Sequence, residues 1–128
     1  MVEKNGIAVG LRIRYAAGAE WVQMDEPCLA LDIDEHVSFA LQTAYGRFAE
    51  AVPQLKLLLT SYFAAYGNNL ETALALPVAG IHVDLARAPE QLDAVLAKAP
   101  KNLVLSLGVI DGRNVWRANL PEILDRIE

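Results

Sequence analysis

The fold is decided by residues 80–109, GIHVDLARAPEQLDAVLAKAPKNLVLSLGV, in which two short apolar runs flank a segment with helical periodicity. The runs 80–83 and 103–109 are rich in Val, Leu and Ile, which is typical of buried strands. Pro89 suits the first turn of a helix between them. The predicted inward face of that helix consists of Leu92, Val95 and Leu96. A strand, a helix and a second strand in this order predict a parallel βαβ unit.

The same alternation of strands and helices extends upstream. Residues 20–24 and 55–60 are further apolar runs of strand length. Between them, apolar residues recur at three- and four-residue steps, which predicts a helix that Asp32 or Asp34 begins as the cap. The stripe consists of Val37, Leu41, Ala44, Phe48 and Val52. This helix should cover the sheet.

Three further segments carry signals for helices or strands. Asn69 can cap a short helix that runs through residue 76, and Asn119 followed by Glu122 resembles a capping box for a final helix. Apolar and other residues alternate in the first fourteen positions, which favours a half-buried strand. A helix there would have to tolerate Gly6 and Gly10 at a cost of roughly 1 kcal/mol each.

These elements predict an α/β protein with four consecutive parallel βα units. A (β/α)₈ barrel typically needs about 250 residues, so 128 residues supply about half of one. A half-barrel with all its helices on one face would leave its inner face and two strand edges open. The alternative is a doubly wound sheet with helices on both faces, which needs no partner at this length.

The amino-acid composition and net charge disfavour some classes of binding partner. Hydrophobic residues make up 54% of the chain, which is enough for one core, and the net charge of -5 disfavours nucleic acids and anionic membranes as partners. No apolar run approaches the roughly 18 residues that a membrane span requires. One cysteine excludes an internal disulfide, and no export leader is evident. We therefore expect a cytoplasmic location.

Polar residues cluster near the carboxyl ends of the predicted strands. Because parallel strands place these ends on one rim, where α/β folds collect ligand-binding and catalytic groups, the residues form a candidate site. The candidate rim residues are Asp25, Glu26, Thr60, His82, Asp84, Asp111, Arg113 and Asn114. The alternative for each is a structural role in capping a helix or bonding to a loop.

The rim residues suggest specific roles. Consecutive side chains of an extended segment diverge, so Asp25 and Glu26 are poor candidates for a proton-sharing pair. One could bind an amine or a hydroxyl while the other anchors a loop, or both could act only as anchors. Arg113 could brace Asp25, Glu26 or Asp84, or capture an anionic ligand. We expect Trp116 to pack rather than to stack on a ligand.

The metal-binding inventory is small. Cys28, His36 and His82 are the only cysteine and histidines, and they have no recognised zinc-ligand spacing. Cys28 lies among apolar residues and is expected to be a small buried hydrophobe, and His36 is expected to be exposed. The sequence assigns no catalytic residue and no metal ligand.

Four segments, in the right order, closely resemble the N-terminal domain of cobalamin-independent methionine synthase, also called 5-methyltetrahydropteroyltriglutamate-homocysteine methyltransferase. The segments are 17–27 (AGAEWVQMDEP), 58–63 (LLTSYF), 76–84 (LPVAGIHVD) and 105–117 (LSLGVIDGRNVWR). The resemblance divides the chain into a divergent segment, 1–15, and part of an N-terminal (β/α)₈ barrel, 16–128. The opening residues do not resemble the helix that usually precedes the first strand in this family.

The resemblance implies an enzyme of two barrels, with the chemistry in the C-terminal one. A zinc ion there activates the homocysteine thiol, which takes the methyl group of the folate polyglutamate. In the matching register, Ser61 and Phe63 occupy the places of the catalytic barrel's His-x-Cys zinc pair, so zinc is expected only in that barrel. Folate polyglutamate is likewise expected only in the intact enzyme. The motif of Asp25 and Glu26 is carried over without its substrate-holding role.

Three hypotheses about function follow. The first is a fragment of this methyltransferase of methionine biosynthesis that is inactive alone, with the C-terminal barrel as its partner. The second is a non-catalytic module that forms a homodimer through its open barrel edges. The third is a receiver-type domain in which Asp25 and Glu26 hold magnesium. The sequence leaves open whether the chain itself is an enzyme.

Overall fold

Four parallel strands form one sheet in the computed structural model, which describes residues 2–128, with side chains from Gly6 onward. The strands are β1 (Trp21–Asp25), β2 (Lys56–Thr60), β3 (Gly80–Asp84) and β4 (Val104–Gly108). They lie in the order β1-β2-β3-β4, and each neighbouring pair is parallel. The predicted α/β fold of four βα units is confirmed, and the sheet stays open as half a barrel would.

Five α-helices accompany the strands in the described part of the chain. They are α1 (Val2–Ala16), α2 (Glu35–Ala51), α3 (Leu70–Ala75), α4 (Leu92–Lys98) and α5 (Leu120–Ile127). Short 3₁₀ turns at Pro27–Ala30, Gly67–Asn69 and Pro89–Gln91 lead into the helices or follow a strand. Each strand is therefore followed by a helix, as the apolar pattern predicts.

The strand predicted for the first fourteen residues is wrong, because α1 occupies this segment from Val2 onward; Met1 lies outside the described residues. Leu11 is only 3% exposed and belongs to the core, so packing offsets the poor helix propensity of the two glycines. Ile7 and Ile13 remain exposed, and their alternation with polar residues reflects no buried strand face. Tertiary packing thus overrides the local pattern.

Helix α2 begins as predicted, and the structure selects Asp34 over Asp32 as its cap. Asp34 Oδ1 accepts a hydrogen bond from the Val37 N–H at 2.9 Å. This bond satisfies one of the free N–H groups of the first turn.

Two other predicted capping residues occupy the N-cap positions of their helices, but the predicted capping bonds do not form. Asn69 precedes α3 but makes no capping hydrogen bond, because its amide donates to the Leu29 and Leu31 carbonyls instead. Asn119 lacks a capping bond to α5 and donates to Glu122 Oε2 at 3.0 Å. Asn69 therefore ties the loop after β1 to the start of α3, a role that a local sequence pattern cannot show.

The helices cover one face of the sheet. Leu57, Leu59, Ile81 and Val83, at alternating positions of β2 and β3, belong to one buried cluster with side chains from α1 to α4. The helix residues of that cluster are Leu11, Leu41, Tyr45, Phe48, Leu70, Ala73 and Val95. The sequential strand order with right-handed crossovers also places the connecting helices on one face, so in the described part of the chain α1 to α4 share a face and the doubly wound alternative is wrong.

Some of the predicted helix faces differ in detail. Val95 is fully buried on α4, but Leu96 is 58% exposed, so its assignment to the inward face is wrong. Val37 lies at the exposed start of α2, while Leu41 and Phe48 are buried. Fewer apolar side chains of the short α4 face the core than its sequence suggests.

The open face carries a polar row across all four strands. The parallel register aligns Asp25 with Thr60, Thr60 with His82, and His82 with Ser106. One row below it, the register aligns Gln23, Leu58, Gly80 and Val104. The open face is therefore mixed, whereas the helix-covered face is apolar.

Two glycines on this face permit close approaches between β3 and β4. A Cβ on Gly80 would lie 2.8 Å from the Val104 carbonyl oxygen, and a Cβ on Gly108 would lie 2.7 Å from His82 Nε2. The first neighbour is backbone and cannot move independently of its strand, but the second is a side chain that can be removed.

We expect Gly80→Ala and Gly108→Ala each to lower the free energy of unfolding by about 1–3 kcal/mol, because each methyl group overpacks the open face. Because only Gly108 of the two has a side chain, that of His82, as its nearest neighbour, removal of this side chain should reduce the cost of Gly108→Ala but not that of Gly80→Ala. In a His82→Ala background, Gly108→Ala should cost at least about 0.5 kcal/mol less, while Gly80→Ala should cost the same. Urea denaturation of the wild type, the three single variants and the two double variants measures this coupling, and equal costs of Gly108→Ala in both backgrounds would contradict it.

Candidate functional site

The carboxyl ends of β2, β3 and β4 border a small, open cavity of about 190 Å³, which we call the rim cavity. Its lining includes His82, Asp84, Asp111 and Arg113 from the predicted rim, together with Phe63 and Arg87. The remaining predicted residues lie outside this lining: Asp25, Glu26, Thr60 and Asn114. The structure therefore brings half of the predicted set around one cavity, and that this cavity is a functional site stays a prediction.

Asp84 joins the loops that follow β2 and β3. Its Oδ2 accepts the Phe63 N–H at 2.9 Å, and its Oδ1 accepts the Arg87 N–H at 3.0 Å. The residue is only 8% exposed, so backbone donors replace most of its contact with water. Asp84 thus has the structural role that its position at a strand end allows.

Phe63 has an unusual backbone conformation beside this carboxylate. Its φ is +80°, in the left-handed region that residues other than glycine rarely adopt. The hydrogen bond to Asp84 holds this conformation, and the ring remains 59% exposed next to the cavity. Residues held in such conformations often lie at functional sites.

His82 is fixed by β4 on the open face. Its Nδ1 lies 2.9 Å from Ser106 Oγ, and its ring occupies the space that a Cβ on Gly108 would take. The strand register places Ser106 and Gly108 on the same face as His82. The imidazole therefore has a defined orientation at the edge of the rim cavity.

Asp111 organises the loop after β4. Its carboxylate accepts the Arg113 N–H at 2.9 Å and the Asn114 amide at 3.1 Å, and it lies 3.5 Å from Arg87 Nη2. The Arg113 N–H, and then the charge of Arg87, lower the pKa of Asp111 below its ordinary value. Asp111 is therefore an anionic acceptor whose oxygens are already engaged.

The predicted brace between Arg113 and Asp25, Glu26 or Asp84 is wrong. Among the described residues, the carboxylate pair at the rim is formed by Arg87 with Asp111. The Arg113 guanidinium instead lies over the Phe63 ring, with its central carbon 5.2 Å from the ring centroid. The path of the loop decides which arginine meets the carboxylate, and this path has no local sequence signal.

Trp116 also differs from the prediction that it packs, because it is 82% exposed. It borders a larger, open cavity of about 470 Å³ beside α5, where Arg126 donates to the Pro89 carbonyl. Asn114 contributes to this second cavity rather than to the rim cavity.

Asp25 and Glu26 diverge, as predicted, and in the described part of the chain only the Glu26 side chain bonds to another helix or strand. Asp25 accepts from the Gln23 amide at 2.6 Å. Glu26 Oε1 accepts from the Tyr45 hydroxyl at 3.0 Å, and Oε2 accepts from the Cys28 thiol at 3.9 Å. Burial and the neighbouring Glu26 charge raise the pKa of Tyr45, so its hydroxyl remains a donor. Glu26 thereby links the end of β1 to α2.

Thr60 and Ser61 end β2 with buried hydroxyl groups. They are 5% and 2% exposed, and neither hydroxyl has a hydrogen-bond partner in the described part of the chain. Thr60 lies in the polar row of the open face, next to His82 in the register.

The described side chains do not fit a zinc ion. No group of three or more His, Cys, Asp and Glu side chains among them could hold a metal. The Cys28 thiol donates to Glu26, His82 is held by Ser106, and His36 is exposed on the first turn of α2, as predicted. Cys28 itself is only partly buried, at the border of the core.

Burial, followed by the negative charge of Glu26, raises the pKa of the Cys28 thiol. We expect iodoacetamide to alkylate Cys28 at pH 8 more slowly than free cysteine. The Glu26→Gln variant should react about two- to fivefold faster, because the thiolate loses an unfavourable neighbour. Mass spectrometry of timed samples gives the rates.

Glu50→Gln, at the exposed far end of α2, is the matched control and should react like the wild type. If Glu26→Gln reacts no faster than this control, the assigned cause of the raised pKa is wrong.

Within residues 2–128, no helix combines the length and the apolar character that crossing a bilayer requires.

Comparison with known sequences adds the following findings. The profile of the family described as "Cobalamin-independent synthase, N-terminal domain" matches residues 11–128. A protein of Nitrobacter winogradskyi named 5-methyltetrahydropteroyltriglutamate–homocysteine methyltransferase is 64% identical over 113 residues. Proteins of the same name from Caulobacter vibrioides and Xylella fastidiosa are 60% and 53% identical over 118 and 114 residues.

These relatives are much longer than the chain. The matches cover 88%, 92% and 89% of this chain, but only 15% of each relative. The chain therefore corresponds to a small part of each protein, within the region that the family profile describes.

Proposed function

The chain belongs to the family of the cobalamin-independent synthase N-terminal domain, and on that premise we propose that it forms part of the N-terminal (β/α)₈ barrel of a methionine-forming methyltransferase. The intact enzyme would transfer a methyl group from 5-methyltetrahydropteroyltri-L-glutamate to L-homocysteine. The family match over residues 11–128 carries this proposal. The open four-stranded sheet supports it, because an eight-stranded barrel needs four more strands.

The proposed role of the chain is to support the enzyme rather than to perform the chemistry. Asp84 and Asp111 bond to loop N–H groups, and Glu26 anchors α2 through Tyr45. We therefore assign no catalytic residue to this chain. The C-terminal barrel is the proposed partner and the proposed location of the zinc ion, which activates the homocysteine thiol when bound. Folate polyglutamate would bind only to the intact enzyme, in the cytoplasm.

A transplant tests this proposal. Residues 11–128 would replace the matching segment of the full-length Nitrobacter winogradskyi relative, and methionine formation would be measured with zinc, homocysteine and the triglutamyl folate. We expect the chimera to retain activity within about tenfold of the parent, since 64% identity preserves most packing contacts. A chimera with Gly80→Ala is the control and should be less stable. A well-folded but inactive first chimera would contradict the proposal.

The isolated chain should form no methionine under the same conditions, with the full-length relative as the positive control. Measurable turnover by the chain alone would contradict its supporting role.

A second proposal is that two copies of the chain associate through their open faces and edges. β1 and β4 each pair on one side only within the described sheet. Trp21 and Val104 lie on the open face at these two edges and are 40% and 49% exposed. Burying such apolar surface contributes roughly 25 cal/mol per Å², and a twofold axis would combine four strands with four.

We expect light scattering at micromolar concentration to give a mass of twice 14.0 kDa. Val104→Lys should weaken the dimer at least about fivefold, because it places a charge in the contact. Leu96→Lys is the matched control, since Leu96 is exposed on α4, away from the open face. Only monomer at every concentration, or equal effects of both variants, would contradict the homodimer.

A further inference from the structure

The Arg113 guanidinium at the rim cavity pairs with no carboxylate among the described residues, and we propose that the cavity binds the carboxylate group of a small organic acid. This site is independent of the proposed methyl transfer, because it uses only residues of this chain. Arg113 would be the principal contact, with Arg87 beside it, and the Phe63 ring would border the hydrocarbon part of the ligand.

The acidic side chains of the cavity hold the loops that carry the two arginines. Each oxygen of Asp84 accepts one backbone N–H, and the carboxylate of Asp111 accepts from Arg113 N–H and the Asn114 amide and pairs with Arg87. A ligand carboxylate that accepts from the Arg113 guanidinium would leave these bonds intact.

The donors are less fully used. The Arg113 guanidinium contacts the face of the Phe63 ring, and no carboxylate among the described residues pairs with it. A guanidinium on an aromatic face keeps its in-plane N–H groups available, and these match the two oxygens of a carboxylate. Arg87 is bonded to Asp111 at 3.5 Å, a loose contact that leaves further N–H groups.

The contacts of Arg113 favour a binding site that is preorganised before the ligand binds. The Phe63 ring under the guanidinium is held by the strained backbone at φ +80° and by the Asp84 bond. The backbone N–H of Arg113 donates a hydrogen bond to Asp111, which fixes the backbone of the residue that carries the guanidinium. Because Phe63 and Arg113 are already ordered in the free protein, less conformational entropy is lost when a ligand binds.

The size and charge of the cavity limit the ligand. A volume of about 190 Å³ holds a carboxylate with a few carbon atoms. Asp84 and Asp111 offset the charges of the two arginines, so charge-assisted hydrogen bonds between the Arg113 guanidinium and an ionised acceptor, rather than a net positive charge of the cavity, must supply the attraction. We therefore expect weak affinity, with a Kd on the order of 1 mM.

Succinate is the probe, and NMR titration of the ¹⁵N-labelled chain at constant ionic strength is the measurement. Saturable shifts of the Arg113 backbone amide and side-chain Nε–H are expected. Succinamide, which has the same shape without charge, should cause no saturable shift, and inorganic phosphate should bind at least about fivefold more weakly than succinate. Equal binding of succinamide or of phosphate would overturn the proposal.

Arg113→Gln should weaken succinate binding at least about fivefold, while Arg117→Gln should leave it unchanged. Arg117 is the matched control because it lies four residues further along the same loop and outside the rim cavity. Arg113→Lys keeps the charge but loses the paired N–H groups, so it should bind with intermediate affinity and reports on the site even if the glutamine variant rearranges the loop. Wild-type affinity in both Arg113 variants would overturn the proposal.

Discussion

Burial of one face of the parallel sheet under α1 to α4 is the constraint on which the other features of the chain depend. Because strand side chains alternate, placing Leu57, Leu59, Ile81 and Val83 against the helices forces the intervening residues onto the opposite face. The register then assembles those residues into rows, including the polar one that contains His82. The same geometry brings the loops after β2, β3 and β4 together at one end.

At that end, Asp84 and Asp111 hold the loops through backbone N–H groups, and the Arg87–Asp111 ion pair joins the loops that follow β3 and β4. Asp84 bonds to the residues that follow β2 and β3, and Asp111 bonds to the loop after β4. Hydrogen bonds from backbone N–H groups to a carboxylate are strong because one partner is charged. The rim cavity is the space between the loops that Asp84 and Asp111 hold.

The sequence predicts the strands to within two residues, because buried parallel strands are continuous apolar runs bounded by polar positions. It also predicts that Asp84 and Asp111 lie at one end of the sheet, since this follows from parallel pairing alone. It does not predict that Arg87 pairs with Asp111 while Arg113 covers Phe63, because loop paths depend on contacts between distant residues. The helix α1 was missed for the same reason, since the packing of Leu11 decides it.

The fit between His82 and Gly108 has a practical consequence for following this sheet in solution. The ring fills the space over the glycine, and its Nδ1 lies 2.9 Å from Ser106 Oγ, so the imidazole contacts β4 at two positions and its surroundings change when β3 and β4 move apart. The NMR chemical shifts of the His82 ring therefore report on the spacing between these two strands. If further strands attached to the edge of β4, these shifts would change, and no added label would be needed to detect it.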